Sequence, residues 1–119
     1  MIEGLAGVII WTDDLERLLT FYRDTLGLPL RSLQPGFAAF ALGDVRFSIG
    51  AHSQVSGPSR DPHRVMVNLA VSDIHGVHSE LAARGVQFIR APEREHWGGW
   101  VATLRDPDGN LLQLLQQPS

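Results

Sequence analysis

Two stretches, Trp11-Thr12-Asp13-Asp14-Leu15 and Ala70-Val71-Ser72-Asp73-Ile74, run through the same order of events. An apolar strand ends, hydroxyl and carboxylate side chains able to cap a helix follow, and an apolar stripe begins. Gly27-Leu28 and Gly85-Val86 then end the two stripes at matching places, and the Asp108-Gly109 turn falls over Gly43-Asp44. The chain therefore reads as one strand–helix–strand–strand–strand unit written twice. Neither copy can bury a helix and both faces of its sheet alone, so the copies are expected to pair. The expected class is α+β: two βαβββ modules forming a cup-shaped mixed sheet. Module one takes residues 1–50, a polar Ser-, Pro- and Gly-containing linker or mobile surface loop takes 51–64, and module two takes 65–119, all within a single domain.

Within module one, Leu5–Trp11 reads as a buried strand. Leu15, Leu18, Leu19, Tyr22 and Leu26 recur at helical spacing. Asp13 stands three residues before Glu16, the spacing of a capping box, although Thr12 is a second candidate cap. Strands are expected at 28–33, 37–42 and 45–49. In module two they are expected at 65–71, 86–89, 100–104 and 111–115, with Ile74, Val77 and Leu81 as the helix stripe. The sharpest turn signal is Asp106-Pro107-Asp108-Gly109, where Pro107 presets one backbone angle, the aspartates can bond nearby N–H groups and Gly109 accepts positive φ.

At 119 residues, with a net charge of −3, the chain lacks the basic balance of a nucleic-acid binder. It has no cysteine, hence no disulfide or thiolate metal site, and no apolar run of membrane-spanning length. A cytoplasmic location is the default expectation.

Thr12-Asp13-Asp14-Leu15, Thr20-Phe21-Tyr22-Arg23-Asp24-Thr25-Leu26-Gly27-Leu28, Gly98-Gly99 and Asp106-Pro107-Asp108-Gly109-Asn110-Leu111 together resemble the vicinal oxygen chelate superfamily. That group includes glyoxalases, extradiol dioxygenases and bleomycin-resistance proteins. The resemblance spans nearly the whole chain and implies the cup fold. It also implies a divalent metal held by the first and last strands of each module. Carried over, those positions are Gly7, Ser48, Met66 and Gln113. A glycine, a hydroxyl, a thioether and an amide do not make a catalytic divalent site. No metal and no cofactor are therefore expected.

Strand alternation places Trp11 with Gly7 and Ile9, Asn68 with Met66, and Arg46 with Ser48 on the inward faces, and Phe40 joins them through the alignment of the halves. The candidate ligand-binding set is Trp11, Phe40, Arg46, Ser48, Asn68, His96, Trp97 and Gln113. Buried among leucines, Gln113 needs a partner such as Ser48 or Asn68, a water or a ligand. His75 and His78, three apart, form a possible metal face, with solvated side chains as the simpler account. The inward set holds no nucleophile–base pair. The expected function is metal-free binding of a small aromatic or planar organic molecule by a homodimer, akin to the bleomycin-resistance branch, with no nucleic-acid or membrane partner. The alternatives are a divalent-metal lyase or dioxygenase, and a regulatory module whose cup is filled by its own side chains.

Overall fold

A computed structural model describes all 119 residues and divides them into two compact units, residues 1–57 and 58–119. In the first unit β1 (Gly7–Thr12) leads into α1 (Leu15–Leu19), which continues as a π-helical turn over Thr20–Thr25, followed by β2 (Leu30–Gln34), β3 (Phe37–Leu42) and β4 (Val45–Ala51). The second unit repeats this with β5 (Val67–Ala70), α2 (Ile74–Ala83), β6 (Phe88–Arg94), β7 (Trp100–Arg105) and β8 (Leu111–Gln116). Each unit has a four-stranded mixed sheet, in the orders β1-β4-β3-β2 and β5-β8-β7-β6. Each sheet joins its first and last strands in parallel and the remainder antiparallel. The α+β class and the doubled βαβββ order are as the sequence implied. No helix is long and apolar enough to cross a membrane.

Helix initiation follows the carboxylates. Asp14, rather than Thr12 or Asp13, caps α1, its Oδ1 accepting the Arg17 N–H at 3.2 Å, while Thr12 Oγ1 accepts the Asp14 N–H one step earlier. Asp73 does the same for α2 by accepting from the Gly76 N–H at 3.1 Å. The Gln116 side-chain carbonyl accepts the Ile74 N–H at 2.7 Å, tying the start of α2 to the end of β8. The π-helical turn has a packing reason. Leu18, Leu19, Phe21 and Tyr22 are all buried, a wider apolar arc than α-helical spacing presents. The Leu26 N–H reaches back five residues to the Phe21 carbonyl at 2.8 Å, which opens the helix enough to turn both aromatic neighbours inward.

The core of the first unit is a cluster of rings under the helix: Tyr22 with Phe47 at 5.3 Å and Phe40 at 6.4 Å, and Phe40 with Phe47 at 6.0 Å. Phe40 is therefore not on the candidate ligand face. Its register partner is Phe47, the neighbour of Ser48, so it points to the side that the helix covers. Aligning the halves misplaces it by one residue, and one residue in a strand reverses the face.

The Asp-Pro-Asp-Gly turn forms as expected. Asp106 Oδ1 accepts the N–H groups of Asp108 and Asn110 at 2.9 and 3.0 Å, its Oδ2 accepts from the Asn110 side-chain amide at 2.9 Å, and Gly109 adopts φ 81°. The polar segment after β4 is divided between the units. The His52 N–H donates to the Thr12 carbonyl and the Gly57 N–H to Asp13 Oδ2 at 2.8 Å, whereas the Ser59 N–H donates to the Asp108 carbonyl at 2.8 Å.

Truncating Phe40, 1% exposed within this ring cluster, removes contacts that nothing else can replace. Phe40→Ala is expected to lower the unfolding free energy by about 3–5 kcal/mol in a denaturant titration.

Candidate functional site

The register defines the face of each sheet that its helix leaves open. In the first unit Gly7 lies beside Arg46, Ile9 beside Ser48, and Trp11 beside Gly50. Ala41, Ala39 and Phe37 continue these three rows on β3. Burial follows the alternation: Ile9 and Trp11 are 47% and 38% exposed, while Thr12 on the other face is fully buried. In the second unit Asn68 lies beside Gln113 and Gln113 beside Thr103, which in turn faces Arg90. The structure thus places Trp11, Arg46 and Ser48 on one open face, and Asn68 and Gln113 on the other. Met66 precedes β5 and belongs to no strand.

Three rings gather at the carboxyl end of β1. Trp11 lies 6.0 Å from Phe37 at a 54° tilt and 5.2 Å from His52, edge to face. Gly50 makes this possible. A β-carbon there would come within 2.6 Å of Trp11 Cζ3 and 2.9 Å of Phe37 Cδ2, so the two rings occupy the space of the missing side chain. His52 is fixed by its own backbone, its Nδ1 accepting the Gln54 N–H at 3.1 Å. The sequence singled out Trp11 but not Phe37 or His52. The available signal was Gly50, a glycine set between Ile49 and Ala51 inside β4 rather than in a turn.

Trp97 repeats the device in the second unit. Its ring covers Gly99 in the turn between β6 and β7, which is closed by the Glu95 N–H donating to the Gly99 carbonyl at 2.8 Å. Trp97 remains 42% exposed, and His96 beside it is exposed without a ring contact.

The polar groups differ in how far they are already engaged. Gln113 donates from Nε2 to Thr103 Oγ1 at 3.3 Å, so its partner is the residue opposite on β7. Arg90 holds Glu95 at 2.6 Å and Glu93 at 3.3 Å, and the hydrogen bond to Glu95, then that to Glu93, raises its pKa above the usual guanidinium value. Arg46 is exposed and makes no ion pair. Ser48 is fully buried and its Oγ has no hydrogen-bond partner.

These residues do not fit the divalent ion of the resembled family. Gly7 has no donor, and a β-carbon there would lie 2.8 Å from the Arg46 carbonyl oxygen, so the strand pair is too close at this point to admit a ligating side chain. Ser48 supplies one neutral hydroxyl and Gln113 one amide oxygen, and no three His, Cys, Asp or Glu side chains converge anywhere in the chain. His75 and His78 do not form a metal pair either. Their rings pack edge-on against Trp100 at 4.7 Å and Phe88 at 4.5 Å, joining helix to sheet. A groove of about 430 Å³ at the carboxyl ends of β5 and β8, with Ser72 and Gln117 in its wall, contains none of the candidate ligand residues.

The family model described as the Glyoxalase/Bleomycin resistance protein/Dioxygenase superfamily matches residues 4–114. A bleomycin resistance protein of Klebsiella pneumoniae is 30% identical over 112 residues, 87% of this chain and 84% of its own. Among solved structures, a superfamily member from Sphaerobacter thermophilus superimposes with a TM-score of 0.76 at 26% identity, covering 98% of both chains. A lactoylglutathione lyase from Agrobacterium tumefaciens gives the same TM-score of 0.76 at 17% identity over 97% of this chain and 94% of its own, a likeness of fold.

The unpartnered hydroxyl has a measurable consequence in the free protein. A buried polar group without a hydrogen bond destabilises by roughly 1–3 kcal/mol. Ser48→Ala is expected to raise the unfolding free energy by about 1 kcal/mol, read from the denaturation midpoint.

Proposed function

The chain belongs to the Glyoxalase/Bleomycin resistance protein/Dioxygenase superfamily, and within it we propose a metal-free receptor that binds a small planar organic molecule on its open sheet faces. The observation that carries this is the half-exposed indole of Trp11, held against Phe37 and His52 by the absent side chain of Gly50. A flat ligand gains contact with such a platform at low entropic cost, because the protein rings are already positioned. The second unit, by itself, carries an exposed indole at Trp97 and, on its own open sheet face, the amide donors and acceptors of Asn68 and Gln113. The likeness to a bleomycin resistance protein supports sequestration of an antibiotic as one form of this function. The donor chemistry at Gly7, Ser48, Met66 and Gln113 supports binding over a metal-dependent lyase or dioxygenase. We further propose that the working unit is a homodimer, which sedimentation at micromolar concentration tests; monomer alone would refute it.

Titration with planar heteroaromatic compounds such as acridine and quinoline is the direct experiment. Saturable quenching of tryptophan fluorescence is expected, unchanged by EDTA and weakened at least tenfold by Trp11→Ala. Nickel, zinc, manganese or iron(II) should leave the melting temperature unmoved. Absence of any saturable binding, or binding that requires one of these ions, would overturn the proposal.

A further inference from the structure

The open face of the first sheet is polarised along its length. The three register rows run from Gly7 and Arg46, through Ile9 and Ser48, to Trp11 and Gly50. The first row carries an exposed guanidinium without a carboxylate, the second a buried hydroxyl without a partner, and the third the ring platform. The rows are crossed by Ala41, Ala39 and Phe37, so small side chains separate the charged end from the aromatic end.

We propose that this face takes an aromatic carboxylic acid, with its ring on Trp11 and its carboxylate at Arg46. This rests on the planar-ligand reading above and adds the ligand's charge, polarity and length. Charge complementarity selects the acid. Arg90 on the other sheet is already held by Glu93 and Glu95, whereas Arg46 keeps its planar fork of donors unspent, the geometry that matches a carboxylate in a two-bond pair. Asp44, in the turn just before β4, is the nearest acidic residue in the chain and makes no ion pair with Arg46.

Arg46 and Gly50 are four residues apart on one strand, roughly 13 Å. The arginine stem spans part of that distance, so a linker of roughly three to five methylenes between ring and carboxylate fits.

The test is calorimetric titration of the intact protein with ω-(2-naphthyl)alkanoates of graded chain length and with their primary amides. The acids are expected to bind at least tenfold tighter than the amides, with a maximum at intermediate length. Arg46→Gln, at an exposed position, should erase that preference and leave amide binding in place. Trp11→Ala should weaken acids and amides together, with circular dichroism confirming that the variant is folded. Amides binding as tightly as acids, or a preference that survives Arg46→Gln, would overturn the inference and leave the planar-ligand reading standing. Failure of every acid and amide to bind would overturn both.

Discussion

Parallel pairing of the first and last strand of each unit is the constraint on which everything else rests. Hydrogen bonding β1 to β4 and β5 to β8 requires the intervening helix to cross over one face of the sheet, which buries that face and leaves the other open. Because side chains alternate strictly, the pairing also decides which residues share the open face. Ile9 beside Ser48 and Asn68 beside Gln113 fix the whole set. A slip of one position would put Phe47 where Ser48 is, and the helix would then meet a row of polar groups.

Much of this was legible in the sequence because the signals are local. Caps, helix stops, the Asp-Pro-Asp-Gly turn and strand alternation each depend on a few adjacent residues, and the doubled pattern made them mutually reinforcing. Phe40 was misplaced because its face depends on a register between strands that aligning two diverged halves does not fix. The π-helical turn was missed because it arises from the need to bury Phe21 and Tyr22 together, a demand made by the sheet beneath rather than by helix propensity. The strand expected at 86–89 starts two residues later, at Phe88, and runs on through Pro92 to Arg94. The chain accommodates it with register irregularities between Phe88 and Glu93 at the sheet edge.

The candidate site was legible in part. Trp11, Arg46 and Ser48 share a face by alternation alone, and the unsuitability of the four metal positions followed from their residue types. Phe37 and His52 escaped notice because their contacts with Trp11 run across strands and into the segment after β4. The histidines of α2 keep much of the solvent access that their polar positions imply, His75 exposed and His78 half-buried, and each also lays its ring against an aromatic neighbour, Trp100 and Phe88. An imidazole is flat, so one edge can rest on an aromatic ring while its nitrogens stay within reach of water.

Indoles that rest on glycines bear on how such a protein diversifies. At Gly50 two rings share the volume of one absent methyl group, so any larger residue there would displace both rings together. The shape of this surface can consequently jump between distinct forms through a single codon, without passing through a graded series of intermediates. A lineage built this way can acquire new recognition abruptly while its scaffold stays untouched.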